Sequence, residues 1–336
     1  MSRLRLSRSR HSPSATGHIL LSKTDTAEAG LAATSRTVPR RKTNSRTDSP
    51  FWAALFVGPN LVLFTTFMIV PIIWGLGLSL FDWNLISAPR FVGLQNYAAI
   101  LNDARALNSV WKTVYLVFLG VVPTVVLSFM LAVLINTNFP GYTVFRTMYL
   151  LPIVISLVAS AVLWRFIYDP RVGPIAQLLS LFGVSGPNWL QDTTWAMPAL
   201  SLVIVWLRLP LGVILYLAAL QQINPQLLEA AEIDGAGPWA KLRHVIWPNV
   251  MPVTLLVLVL TLRGIIFDSF DIAFVMTKGG PLNSTDILAV YIYDLAFAQL
   301  RLGYASALST VLFVIVTILA LIFNPPRRRP TNGDPV

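Results

Sequence analysis

The chain has 336 residues, 55% of them hydrophobic and 12% charged, with a formal net charge of +10 and no cysteine. A soluble fold of this size carries about twice that charged fraction, so a water-soluble core is excluded; the lack of thiols excludes disulfides, thiolate metal sites and cysteine nucleophiles. Ten of the 25 Lys and Arg lie before Ser49, and a basic tail beside a first apolar segment points to cytoplasmic orientation, not to nucleic-acid binding.

Residues 1–49 are rich in Ser, Thr, Arg and Ala without helical or strand period, and read as a disordered, basic cytoplasmic tail. After it the apolar residues gather into blocks of the ~20 residues that a helix needs to cross a ~30 Å hydrocarbon layer. No charge stands between Asp48 and Asp82, which predicts one tilted span kinked at Pro59 and Pro71, too long for a signal-peptide core. A polar loop leads to a second span over Thr113 to Asn136, the turn NTNFPGY, and a third span over about Thr147 to Ile167. Two Gly-Pro pairs then flank an amphipathic run, Ile175 to Phe182, that suits an interfacial helix. The fourth span covers Ala196 to Leu220 and the fifth Val250 to about Phe274, each with one arginine, Arg208 and Arg263. A loop with helical content precedes the sixth span, Tyr304 to Phe323, which NPPRRRP stops. The expected fold is all-α: a polytopic membrane protein with six transmembrane helices over residues 50–324 and a short basic cytoplasmic tail over 325–336.

Six spans put both termini on one side. With the termini inside, the inner basic residues are the ten of the tail, Arg146, Lys241, Arg243 and Arg327 to Arg329, against seven outside. The bias favours cytoplasmic termini. The polar passage between the fourth and fifth spans, residues 224–248, is then cytoplasmic. Asn224 is a good N-cap and Pro225 a good first helical residue, and Gly235 can end the helix in the left-handed conformation. A second short helix, WAKLRHVIW, is expected to end at Pro248 and Pro252. Leu227, Leu228, Ala231 and Ile233 can share one face, leaving Glu229 and Glu232 exposed.

The spacing Glu229-Ala230-Ala231, then Gly235, then Pro248 resembles the EAA loop of binding-protein-dependent ABC importer permeases. The fuller EAAEIDGAGPW is similar to the form found in the carbohydrate-uptake group. FVGLQNY (Phe91 to Tyr97), the segment Phe267 to Phe297, and LGYASALS (Leu302 to Ser309) resemble other parts of that group, and the last two are typical of the larger maltose-type permease subunit. The resemblance implies a cytoplasmic coupling helix that sits in a cleft of a partner ATPase. Glu229 would pair with a basic ATPase residue, Ala230 and Ala231 would keep the surface narrow enough to enter the cleft, and Gly235 would allow the bend and close approach, with Asp234 and Pro248 also counted among the ATPase-coupling residues. It also implies a second permease subunit as heterodimer partner, an ABC ATPase dimer, an extracytoplasmic solute-binding protein, a sugar as cargo and membrane lipid around the spans. No cofactor is expected in this chain, since ATP would be hydrolysed by the ATPase subunits.

An ionisable residue inside a span is costly and marks a functional position by default. Arg208 and Arg263 both fall ~20 Å deep at ~1.5 Å per residue, with Asp268 and Asp271 higher. Counting from Glu229, the positions that hold sugar in maltose-type relatives fall on Leu207, Arg208 and Leu211, and on Thr261, Gly264, Ile265 and Asp268. The second set has the spacing of one helical face. Trp206 or Phe267 could stack on a sugar ring. No nucleotide-binding loop, H-E-x-x-H or G-x-S-x-G occurs, so no enzyme is expected and neither catalytic nor metal-binding residues are assigned. Glycerol-3-phosphate is the alternative cargo, because Arg binds phosphate well. A secondary transporter is the different-class alternative; it would want an inverted repeat, and none is evident.

Overall fold

A computed structural model describes residues 50–137 and 141–322; the expected tails, 1–49 and 325–336, and the centre of the NTNFPGY turn lie outside the described residues. The chain divides after Pro59, and the unit from Asn60 onward carries the fold. Helix α1 (Pro50–Phe64) passes through a π-helical turn, Thr65–Ile69, into α2 (Val70–Leu78). A two-stranded hairpin, β1 (Phe81–Asp82) with β2 (Arg90–Phe91), and α3 (Gln95–Asn102) precede α4 (Ala104–Asn136). Then come α5 (Tyr142–Leu150), a 3₁₀ turn over Leu151–Val154, α6 (Leu157–Ile167) and the short α7 (Pro174–Leu181). The chain continues through α8 (Ala196–Gln221), α9 (Pro225–Ile233), α10 (Pro238–Lys241), a π turn over Leu242–Ile246 and α11 (Trp247–Met276). It closes with α12 (Leu288–Tyr293), a π turn over Asp294–Ala298 and α13 (Leu302–Ile322).

Five helices among the described residues are long and apolar enough to cross a membrane. The expected third span is not one rod: α5 with the 3₁₀ turn and α6 meet at 118°. Packing shows that this broken pair still crosses. Ile135 near the end of α4 and Leu220 near the end of α8 share one cluster with Tyr149 of α5. At the far end of α8 the Tyr168 hydroxyl, just past α6, donates to the Ala199 carbonyl at 3.0 Å. The two helices α4 and α8 therefore run in the same direction, and only α5–α6 can carry the chain back between them. Pro152 lies in the 3₁₀ turn, and Ser156 caps α6 by accepting from the Ala159 N–H, so the break has a proline and a new cap as its causes.

The expected stop at Pro248 and Pro252 is corrected. From Pro238 to Met276 the chain is one helical run, with Pro248 at the first positions of α11 and Pro252 inside it. A π turn immediately precedes Pro248, as another precedes Pro71. Widening the helix by one residue per turn relieves the clash of the pyrrolidine ring with the preceding turn, so the prolines bend the helices without ending them. The second span begins nine residues earlier than expected, because Asp103 caps α4 by accepting from the Arg105 and Ala106 N–H groups.

The core of the second unit is the contact of α4, α8 and α11, where Leu116, Leu200, Val203, Ile265 and Ile272 are buried. In a membrane such a seam is held by close packing, since lipid tails are as apolar as the side chains. The end away from the coupling loop is tied by polar groups instead. The Asn96 amide donates to the Ser79 and Phe81 carbonyls at 2.8 and 2.9 Å, and the Leu302 N–H donates to the Trp83 carbonyl at 3.0 Å. Asp103 also accepts from the Tyr291 and Tyr304 hydroxyls, both at 2.7 Å, and Arg105 pairs with Asp286 and Asp294 at 2.7 and 2.8 Å. FVGLQNY and LGYASALS thus both hold the hairpin, Asn96 through the Phe81 carbonyl and Leu302 through the Trp83 carbonyl.

Candidate functional site: coupling loop and mid-span charges

Helix α9 has the caps the sequence calls for. The Asn224 carboxamide oxygen accepts from the Gln226 N–H at 3.0 Å. At the other end Gly235 has φ +75°, its N–H donates to the Glu232 carbonyl, and the Ala236 N–H donates to the Ala231 carbonyl at 2.9 Å. That pair of bonds is a Schellman cap, and only a residue without a Cβ takes the conformation cheaply. Lys241 of α10 reaches back to Glu232 at 2.7 Å and holds the Glu232 carboxyl below the usual carboxylate range. The expected apolar face is narrower than four residues. Leu228 and Ala231 are half-buried, whereas Leu227 and Ile233 are 47% and 86% exposed. Glu229, Ala230 and Asp234 are exposed, as is Pro248 at the start of α11. Among the described residues Glu229 has no ion pair. The loop presents a helix capped at both ends, with an exposed carboxylate at Glu229 and two exposed apolar side chains, Leu227 and Ile233.

Midway along the spans Arg208 of α8 forms an ion pair with Asp268 of α11, each side chain 24% exposed. The guanidinium also donates to the Gly264 carbonyl at 3.4 Å. It lies so close to α11 that a Cβ at Gly264 would sit 2.6 Å from Arg208 Cζ. Gly264 is therefore the residue that lets Arg208 lie flat on the neighbouring helix. Thr261 and Ile265, on the same face, are buried at 5% and 0% exposure, so this face of α11 is turned into the subunit's own core. Leu207 is half-buried and Leu211 is 39% exposed. Of the positions expected along a substrate path, Arg208, Leu211 and Asp268 are accessible and Thr261, Gly264 and Ile265 are not. The positional count misses the exposed side of α11, which carries Arg263 over the Phe267 ring at 5.5 Å. The signal was available in the spacing Arg263, Phe267, Asp271, one residue every helical turn.

The comparisons with known proteins agree with this geometry. Residues 60–328 match the family described as binding-protein-dependent transport system inner membrane component. The sn-glycerol-3-phosphate transport system permease protein UgpA of Escherichia coli O157:H7 is 33% identical over 269 residues, 80% of this chain and 91% of that protein. The probable starch degradation products transport system permease protein AmyD of Thermoanaerobacterium thermosulfurigenes is 29% identical over 271 residues, 81% and 92% of the two chains. Among solved structures, a chain of the bacterial alginate ABC transporter in complex with alginate pentasaccharide-bound periplasmic protein superimposes with a TM-score of 0.73 at 23% identity. That match covers 86% of this chain and 98% of that one. The chain belongs to the binding-protein-dependent transport system inner membrane component family: it is a multi-pass ABC transporter permease of the inner membrane and not an enzyme.

Proposed function

We propose that this permease imports a sugar as one half of a heterodimeric membrane channel, with α9 as the helix that an ABC ATPase dimer grips. The observation that carries the reading is the capped helix Pro225–Ile233, with Glu229 exposed and free of any ion pair among the described residues. A charge fixed on a rigid helix sets register against a partner, and the flanking alanines permit close approach. The coupling loop then faces the cytoplasm, and with six crossings the termini lie on the same side. ATP is bound and split by the partner subunits, and an external solute-binding protein delivers the cargo to the opposite end. A sugar is supported by AmyD, whose name gives starch degradation products as cargo. UgpA supports the second reading, glycerol-3-phosphate. The pairing of Arg208 with Asp268 weighs against it, since a guanidinium already matched to a carboxylate is a poor phosphate site. Glu229→Lys tests the coupling role in the complete reconstituted transporter. The expected result is lost uptake with solute capture by the binding protein intact. Normal ATPase association and normal uptake in that variant would refute the role.

A further inference from the structure

The segment Phe267 to Phe297 carries the rings Phe267, Phe270, Phe274, Tyr293 and Phe297, of which Phe270 also packs against the core. Phe267 is 62% exposed, and Phe297, on the π turn beyond α12, is 69% exposed. From Phe270, one turn beyond Phe267, ring contacts run on: Phe270 stacks on Phe274 with centroids 5.3 Å apart, Tyr293 sits 5.4 and 4.7 Å from those two, and Phe297 lies 4.8 Å from Tyr293. Tyr293 is itself 36% exposed. These four rings form a ladder that begins one turn beyond Phe267 and its Arg263, and ends at the side of the protein away from the coupling loop, where Asp294 anchors to Arg105. Arg263 is exposed, and Asp271 is half-buried one turn beyond Phe267. Among the described residues neither has an ion pair, and Arg263 only rests on the Phe267 ring. Lipid is not the occupant of this face, because an exposed arginine at mid-span faces either protein or a water-filled path.

We infer that this ladder is a track for an uncharged saccharide, resting on the importer reading above. Sugar rings present C–H faces that pack on aromatic rings, and their hydroxyls need donors and acceptors at the edges. Phe267 offers the surface, with Arg263 as donor below it and Asp271 as acceptor above. One positive and one negative group along the stripe give no net attraction for an anion. The exposed rings of Phe267, Tyr293 and Phe297 give several weak sites in series, which lets a solute move on instead of being held at one place. Arg263 rests over the Phe267 ring, and a sugar hydroxyl would give its guanidinium a directional partner.

The test uses the complete transporter in proteoliposomes with its binding protein. The probes are maltose, maltotriose, trehalose, cellobiose and glycerol-3-phosphate, and uptake and co-purification of the second permease are both measured. Phe267→Leu and Phe297→Leu keep an apolar side chain but remove the ring, whereas Phe267→Tyr keeps the ring. The expected result is neutral-sugar uptake reduced about tenfold in each leucine variant and near normal in Phe267→Tyr, with the second permease and the binding protein's sugar affinity unchanged, an effect of the size that ring contacts give. Uptake of a neutral sugar within about twofold of normal in both leucine variants overturns the track and leaves the importer reading intact. Loss of the second permease from Phe267→Leu assigns the stripe to the subunit interface and also overturns it. Import of glycerol-3-phosphate alone overturns the uncharged cargo while sparing the coupling loop, and wild-type protein that takes up none of the probes and binds no ATPase refutes the underlying reading.

Discussion

Breaking the Arg208–Asp268 pair should cost the folded transporter far more than removing it. Asp268→Asn leaves a guanidinium at mid-span with only the Gly264 carbonyl beside it. Placing an uncompensated arginine at the centre of a membrane helix costs about 3 kcal/mol on insertion scales, and removing one partner of a buried pair costs a similar amount. Each side chain is 24% exposed, so some water reaches the pair, and about 2–3 kcal/mol is the expected destabilisation; at 1.4 kcal/mol per decade that is nearly two orders of magnitude in the folded-to-unfolded ratio. Arg208→Gln alone leaves the Asp268 carboxylate without its partner and should destabilise as well. The double variant, with two neutral hydrogen-bonding amides, should lie close to wild type, so the coupling in a double-mutant cycle should equal the sum of the two single losses, about 3 kcal/mol or more. The assay is the fraction of assembled transporter that survives a graded heat step in detergent, read for all four proteins. Additive losses in the double variant would show that the two residues do not act on each other, and the assignment of Arg208 as a spent charge would fall with that result.

Three further outcomes follow from the same geometry. Gly235→Val places a β-branched residue at φ +75°, costing about 1–2 kcal/mol locally; uptake and ATPase stimulation should fall while the second permease still co-purifies. Gly303→Ala puts a Cβ onto the Phe81 carbonyl, a backbone atom that cannot swing away, so thermal stability should drop by about 1–3 kcal/mol, with the hairpin becoming sensitive to protease first. At Asp103 burial pushes the carboxyl up, but hydrogen bonds from Tyr291, Tyr304 and the Ala106 and Arg105 N–H groups outweigh it and hold it below the usual range. A depressed folded-state value means stability that is present above the ordinary carboxylate range and lost as pH falls through the folded-state value. Heat inactivation should therefore be flat from neutral to mildly acid pH and quicken only in strong acid, and Asp103→Asn should be less stable at neutral pH and lack that acid step.

The elements legible in the sequence were those whose signals are local. Asn224, Pro225 and Gly235 fix α9 by capping and backbone conformation alone, and both ends of that helix fall where those residues stand. The charge-free blocks gave the spans for a similar reason, since hydrocarbon thickness sets their length. What was not legible depended on neighbours. Pro248 and Pro252 read as stops because a proline cannot join a regular helix, and nothing local announces the π turn that accommodates them. Helix three read as a rod because Pro152 and Ser156 are compatible with a bent span as well as a straight one. At mid-span the orientation of α11 was not legible, because a helix apolar on nearly all sides does not say which side meets its own core. Ile265 buried at 0% and Phe267 exposed at 62% settle that orientation only once α4 and α8 are in place. Asp103, which joins α4 to α12 and α13, was invisible for the same reason: its two tyrosine partners are 188 and 201 residues away.

The most direct test of the coupling account uses the absence of native cysteine, which makes any introduced thiol unique in this chain. Ala230→Cys in otherwise intact transporter should cross-link to the ATPase subunit in native membranes, and the yield should change when ATP is added. A thiol at Ala230 that labels freely in the presence of the ATPase, or that cross-links to the binding protein instead, would contradict the placement of α9 in an ATPase cleft.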